Sequence, residues 1–120
     1  MKINLKTRDE ISVIDLDKVA YLQAEGNYTR IVYIQGYEIV LGFGLSKIEL
    51  IFKQTIKDEN YKRLFIRFGR SLILSKNFLT KIDLLKSRVT ISDYGQHTYT
   101  LDVPKIVAKT YKNNINNGKK

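Results

Sequence analysis

The sequence has no cysteine and no tryptophan, and it contains one proline and one histidine. Without cysteine, the chain cannot form disulfide bonds, thiolate nucleophiles or Cys-ligated zinc and iron–sulfur sites. Apolar runs are short, since none approaches the roughly 20 residues that a bilayer-spanning helix needs. The N-terminal segment MKINLKTRDE becomes acidic before a signal-like apolar core develops. These absences predict a cytoplasmic protein that does not enter a membrane.

Catalytic motifs are missing as well. His97 follows the turn-like residues 93–96, a position typical of a solvated surface histidine rather than a base. Ser71 and Ser75 have no companion histidine, and no Gly-rich phosphate loop or nucleophile elbow occurs. The acids between residues 9 and 17 lack the spacing of a known metal site. We therefore predict a protein without enzymatic activity, cofactor or bound metal.

The positive charge is unevenly distributed along the chain, which has a net charge of +9 at pH 7. Residues 1–60 carry 8 Lys and Arg against 9 Asp and Glu, a balance of −1. Residues 61–120 carry 13 against 3, a balance of +10. Because a one-sided basic surface attracts polyanions, nucleic acid or an anionic lipid surface is the expected class of partner.

The pattern of apolar residues predicts one mainly β domain over residues 1–112, followed by a flexible basic tail at 113–120. Alternating or short apolar runs bounded by turn residues indicate about ten short strands in small antiparallel sheets. The predicted strands lie at 2–6, 11–16, 19–22, 31–34, 37–43, 64–68, 71–74, 78–84, 88–92 and 98–103. A polar link is expected at 57–63.

Two segments have the period of amphipathic helices. In the first, at about 45–55, Ser46 and Glu49 are spaced as a capping box, with Leu45 and Leu50 as a hydrophobic staple. The second, at about 104–112, begins at the proline, which suits the first turn of a helix. We expect its apolar side chains to face inward and its lysines to form an exposed basic stripe. These residues are Ile106, Val107 and Tyr111, and Lys105, Lys109 and Lys112.

The segment LFIRFGRSLILSKN, residues 64–77, places cationic side chains at the ends of two predicted strands. An arginine can read the O6 and N7 atoms of guanine with two hydrogen bonds, or it can clasp a phosphate. Arg67 and Arg70 could instead be ion-paired surface residues. Asp83 is the only acid between residues 61 and 92, so an acid from the N-terminal half of the chain would have to reach them.

Three stretches carry a family resemblance: DLDKVAYLQAEGNYTRIVY, LSKIELIF and RLFIRFGRSLILSKNFLTKID. In this order, over about residues 10–110, they resemble the LytTR-type DNA-binding domain of bacterial transcription regulators. The resemblance implies a nearly all-β fold in which loops, rather than a recognition helix, enter the major groove of double-stranded DNA. The turn within AEGNYTRI would then direct polar side chains towards the DNA.

The resemblance assigns DNA contacts to three places. The base-contacting position of the first loop falls at or beside Thr29. In the second loop Arg70 is expected to contact a base or a phosphate, and the third place is Lys105 at the start of the last helix. Neighbouring residues complete the expected interface. It comprises Asn27, Tyr28, Thr29, Arg30, Arg67, Gly69, Arg70, Ser71, Ser75, Lys76, Asn77, Lys105 and Lys109.

The expected function is sequence-specific DNA binding by a transcription regulator, a monomer in solution whose copies pair on repeated DNA sites. LytTR domains often follow a receiver domain, so the chain is either a stand-alone regulator or part of a longer response regulator. Two alternatives stay open. A module that binds RNA or single strands would stack bases on Tyr28, Tyr33 or Phe68. A protein-interaction or membrane-surface module would use the lysine stripe of the last helix.

Overall fold

The computed structural model describes residues 1–115, which form ten β-strands and three α-helices. The strands are β1 (Lys2–Lys6), β2 (Ile11–Asp15), β3 (Val19–Glu25), β4 (Tyr28–Tyr33), β5 (Glu38–Leu41), β6 (Phe65–Arg67), β7 (Leu72–Ser75), β8 (Leu79–Asp83), β9 (Arg88–Ser92) and β10 (Thr98–Asp102). The helices are α1 (Leu45–Thr55), α2 (Glu59–Lys62) and α3 (Lys105–Asn113). Of the predicted tail at 113–120, the first residue closes α3, and residues 116–120 lie outside the described part of the chain.

The strands form three antiparallel sheets. β1 pairs with β2, a second sheet has the order β10-β9-β8, and the central sheet has the order β5-β4-β3-β7-β6. This architecture confirms the predicted mainly β class with about ten short strands. The hydrophobic period also predicts β1, β9 and α1 with the bounds that they have in the structure.

The central sheet is buried on both faces. Leu22 and Ile73 belong to a core shared with α1 and the β1–β2 hairpin. Tyr21 and Leu74 belong to a second core, shared with α3 and the β8–β10 sheet. A strand covered on both faces needs apolar side chains at successive positions, which explains the continuous apolar sequences of β3 and β7. The two cores together hold this sheet rigidly in the middle of the domain.

The first helix begins without the predicted capping box. Gly44 is its N-cap and offers no side-chain hydrogen bond, so Ser46 already lies inside the helix. The Glu49 carboxylate is 2.8 Å from Nη1 of Arg67 instead of reaching back to the helix start. Leu50 is 53% exposed, so it does not form the predicted staple. Burial of its apolar face, rather than a local cap, holds α1 in place.

The predicted polar link at 57–63 contains the short helix α2. Asp58 caps this helix, because its Oδ1 accepts hydrogen bonds from the backbone N–H groups of Asn60 at 2.9 Å and Tyr61 at 3.2 Å. A single helical turn is too short to show an apolar period. The capping aspartate is therefore the only local signal of α2 in the sequence.

The last helix is present as predicted, but it begins at Lys105, so Pro104 is its N-cap rather than part of its first turn, and it faces the core with a partly different side. Val107 and Tyr111 pack against the second core as expected. Ile106 is 71% exposed, whereas Ala108 is fully buried. The prediction that Ile106 faces inward is therefore wrong, because the small side chain of Ala108 takes the contact with the core.

Candidate nucleic-acid interface

Three connections meet at one end of the central sheet, which we call the loop end: residues 26–27 between β3 and β4, 42–44 between β5 and α1, and 68–71 between β6 and β7. Antiparallel pairing brings them together because each strand reverses the direction of its neighbour. Thr29 pairs with Leu41 across β4 and β5. The backbone N–H of Ala24 donates to the carbonyl of Ser71 at 2.8 Å, which ties the first connection to the third.

The start of α3 joins the loop end through Gly69. This residue has a φ of +89°, a conformation that favours glycine. A Cβ atom at Gly69 would lie 3.4 Å from Cγ of Pro104, so the two segments are in close contact. Lys105 follows Pro104 directly, and Lys109 lies one turn later in the helix, also exposed. The lysine at the helix start therefore lies beside the third connection.

Several of the predicted contact residues are exposed at the loop end. They are Asn27, Tyr28, Arg70, Ser71 and Lys105. Tyr28 has 56% of its surface exposed, and it directly follows the turn between β3 and β4. Within residues 1–115, Arg70 has no ion-pair partner. Its guanidinium is therefore available to an anion or a hydrogen-bond acceptor.

Lys47 belongs to the loop end, although no motif in the sequence singles it out. It is exposed in the first turn of α1, directly after the connection from β5. Its Nζ lies 4.6 Å from the centroid of the Phe43 ring, a typical cation–π distance. Only the pairing of β5 with β4 places this lysine near the other cations. The local signal is weak, since a lysine after the sequence GFG at a helix start is not specific.

Thr29 lies in the core and not on the surface. β4 begins at Tyr28, so Thr29 points to the opposite face and is fully buried. Its Oγ1 donates a hydrogen bond to the carbonyl of Phe43 at 2.8 Å. Thr29 itself is therefore not an exposed contact, because its hydroxyl already links β4 to the connection before α1, and the prediction passes to the residues beside it. Of the residues next to it, Asn27 and Tyr28 remain exposed.

Arg30 is occupied by acceptors on neighbouring strands. Its Nη2 donates to Oε1 of Gln23 at 2.6 Å, its Nε to Oε2 of Glu25 at 3.1 Å, and its Nη1 to Oε2 of Glu38 at 3.3 Å. These contacts join β3, β4 and β5 across one face of the sheet. Arg30 is half-buried there, so its guanidinium serves the sheet rather than the exposed loop surface.

Arg67 is held in the same manner by the third connection and by α1. Its Nε donates to the carbonyl of Gly69, its Nη2 to the carbonyl of Arg70, and its Nη1 to Oε1 of Glu49, each at 2.8 Å. A remote acid from the N-terminal half therefore pairs with Arg67, which was one of the two alternatives that the sequence left open. Arg70, three residues later, is the arginine that stays unpaired.

The segment Ser75 to Asn77 lies at the other end of the central sheet. β7 starts at the loop end and runs away from it, over a length of roughly 13 Å at about 3.3 Å per residue. Ser75 is fully buried, and its Oγ accepts a hydrogen bond from the backbone N–H of Asn77 at 3.3 Å. Lys76 and Asn77 are exposed, but the structure does not bring them together with Arg70.

Comparison with known proteins identifies the architecture. No protein-family model and no curated protein matches the chain. Among solved structures, it is similar to one described as the LytTr DNA-binding domain of a methyl-accepting/DNA response regulator from Bacillus cereus. The two share 22% sequence identity at a TM-score of 0.61, over 93% of this chain and 94% of that chain. This chain has the LytTR fold.

Away from the loop end, the LytTR fold of this chain carries its histidine on the connection between β9 and β10. Nδ1 of His97 lies 3.0 Å from Oδ2 of Asp93. Hydrogen bonds from the His97 side chain and from the backbone N–H of Gly95 lower the pKa of the Asp93 carboxyl. The pair closes the hairpin between β9 and β10. Within residues 1–115, no cluster of three metal-ligating side chains occurs, and no helix is long and apolar enough to cross a membrane.

The buried position of Thr29 in this LytTR fold predicts the effect of a nearly isosteric substitution. Thr29→Val removes the hydroxyl and leaves the Phe43 carbonyl without its partner, so the free energy of unfolding should fall by about 1–3 kcal/mol. Urea denaturation measures this change. The matched control is Thr100→Val on β10, where the side chain is exposed and the change should stay within about 0.5 kcal/mol. Equal stability of the Thr29→Val variant and the wild type would contradict the structural role.

Proposed function

We propose that this chain is a transcription regulator of the bacterial cytoplasm that binds specific double-stranded DNA by inserting its loop end into the major groove. The observation that carries the proposal is the convergence of three connections and the start of α3 on one end of a sheet buried on both faces. Direct readout needs side chains held at fixed spacing against base edges. A sheet packed on both faces provides such a support.

The exposed residues of the loop end divide into two chemical groups. Arg70 offers a planar guanidinium on a connection held between two strands, which suits bidentate contact with guanine. Lys47, Lys105 and Lys109 offer mobile ammonium groups, which suit phosphate oxygens. Asn27, Tyr28 and Ser71 add neutral donors and acceptors between these cations. In this proposal Arg70 specifies the sequence, and the lysines position the domain on the backbone.

The electrostatics of the loop end support an anionic partner. Glu25 is the acid at the first turn, and its Oε2 lies 3.1 Å from Nε of Arg30, so its charge is compensated within the sheet. The cations at the loop end have no comparable partner among the described residues. The solved structure that shares the fold is described as a DNA-binding domain, which points to the same class of ligand.

Duplex DNA is favoured over a single strand because two of the three candidate stacking rings are not free. Phe68 is 1% exposed. The hydroxyl of Tyr33 accepts a hydrogen bond from the backbone N–H of Asp15 at 3.3 Å, and its ring is half-buried. Of these three rings, only Tyr28 is free to stack on a base. A single aromatic ring at the loop end does not form the row of platforms that single-strand binders use.

Titrations with three polyanions test the proposal. A duplex obtained by selection from random sequences should bind more tightly than the corresponding single strand, and more tightly than vesicles of anionic lipid. Three lysine–phosphate contacts predict that log affinity falls with log salt with a slope of about −2.7. Tighter binding to vesicles, or to single strands at the same salt, would contradict duplex recognition.

A pair of variants separates base reading from phosphate contact. Arg70→Ala should lower affinity for the selected duplex by about 1–3 kcal/mol and leave affinity for a scrambled duplex nearly unchanged. Lys109→Ala should weaken both duplexes equally and make the salt slope shallower by about 0.9. Circular dichroism verifies that both variants fold. An equal loss on both duplexes for Arg70→Ala would assign this arginine to phosphate instead.

The assembly state follows from charge. A net charge of +9 on 14.0 kDa makes free copies repel one another, and DNA phosphates remove this repulsion. We therefore expect a monomer in solution whose copies meet on DNA with repeated half-sites. Sedimentation equilibrium at physiological salt should give the monomer mass, and a duplex with two sites should bind two copies. A stable dimer without DNA would contradict this expectation.

A further inference from the structure

We propose that Arg67 is a positioning residue: it fixes the direction of the Arg70 side chain from inside the protein and does not contact DNA. The expected effect on DNA preference rests on the proposed function. The restriction of the Arg70 backbone concerns the free protein alone. All three guanidinium nitrogens of Arg67 donate hydrogen bonds, to the carbonyls of Gly69 and Arg70 and to the carboxylate of Glu49, each at 2.8 Å. Moving to a phosphate would break all three hydrogen bonds.

The two carbonyl groups that Arg67 binds are on either side of the Arg70 Cα atom. The Gly69 carbonyl belongs to the peptide unit before this Cα, and the Arg70 carbonyl belongs to the unit after it. Holding both peptide units restricts φ and ψ of Arg70, so the Cα–Cβ bond has a fixed direction. This restriction matters here because Gly69, with a φ of +89°, permits more backbone conformations than any other residue would.

Glu49 anchors the guanidinium to the core. It lies on α1, whose residues Ile48 and Phe52 are buried in the first core. The side chains of Arg67 and Glu49 are 27% and 31% exposed, so the pair is partly shielded from water and salt. The connection that carries Arg70 is therefore held by α1 as well as by the strands β6 and β7. In this proposal α1 contributes to base reading through Glu49 and Arg67, without a base contact of its own.

Two other roles for Arg67 make different predictions. If Arg67 contacted phosphate, its loss would weaken binding to every duplex and make the salt slope shallower by about 0.9. If it served only general stability, its loss would lower the melting temperature without changing the preference between DNA sequences. A positioning role predicts a lower preference for the selected duplex, an unchanged salt slope and greater backbone motion at residues 70 and 71.

The first measurement uses the free protein. Backbone 15N order parameters of Arg70 and Ser71 should be near 0.85 in the wild type and fall below about 0.6 in Arg67→Lys, because the single Nζ of a lysine cannot replace three separate guanidinium nitrogens that each face a different acceptor. Arg63→Lys is the matched control, since Arg63 is exposed at the end of α2. Unchanged order parameters in Arg67→Lys would overturn the proposal whether or not the protein binds DNA.

The second measurement uses DNA. The affinity ratio between selected and scrambled duplex should fall about tenfold in Arg67→Lys, with the salt slope unchanged, whereas Arg63→Lys should leave the ratio unchanged. The double variant Arg67→Lys/Arg70→Ala should lose little beyond Arg70→Ala, because both act through one side chain. A shallower slope with the ratio preserved would overturn the proposal. If the wild type showed no preference for any duplex, the proposed function would fail, and the order parameters would still decide the geometric part.

Glu49→Ala provides a variant that keeps Arg67 itself. Without the carboxylate, the guanidinium loses its anchor on α1, so the order parameters of Arg70 and Ser71 should fall, by less than in Arg67→Lys. The duplex preference should fall with them. Removing an acid strengthens binding to any DNA, but this effect cancels in the ratio between two duplexes. A ratio equal to that of the wild type, with unchanged order parameters, would show that the anchor has no role and would overturn this part of the proposal.

Discussion

The pairing of β3 with β4 on one side and β7 on the other is the constraint on which the loop end depends. β3 is covered on both faces, so a slip of one residue would exchange the side chains that the two cores contain. A slip of two residues would keep the faces but separate neighbouring connections by about 6.6 Å. The contact of Ala24 with Ser71 is therefore set by the burial of residues such as Leu22 and Ile73. The geometry of the loop end is a consequence of the core.

Local patterns predict the elements of this fold well and the contacts between them poorly. The bounds of α1 follow from Leu45, Ile48 and Phe52, which recur at helical spacing and are all buried. The capping box fails because the partner of Glu49 is Arg67, which is 18 residues away along the chain. No local rule can weigh a hydrogen bond within one helical turn against an ion pair that exists only after the sheet has assembled. Sequence reasoning misses α2 because a single helical turn has too few residues to show an apolar period.

Whether a predicted contact residue is exposed depends on the face of the sheet that its strand position occupies, as well as on the motif. A resemblance assigns positions along the chain, but the face of a side chain depends on where a strand begins. Because β4 starts at Tyr28, the side chain of Tyr28 is exposed and that of the next motif residue, Thr29, is buried. Ser75 differs in that its strand runs away from the loop end, which only the antiparallel topology reveals. The DNA contacts of Arg70 and Lys105 stay predictions, now with both side chains exposed at the loop end.

Arg30, Arg67 and Arg70 differ in whether an acid reaches them within the described residues. Arg30 and Arg67 take carboxylates from the acidic first half of the chain, Glu25 and Glu38 for the former and Glu49 for the latter. The rigid fork of a guanidinium suits these fixed partners, because three acceptors can be bound at once. Their charges are compensated, so the unpaired positive charges at the loop end are those of Arg70 and the nearby lysines. Under the proposed function, an unpaired arginine on a backbone held by a paired arginine combines the free charge that DNA attracts with the fixed direction that base reading requires.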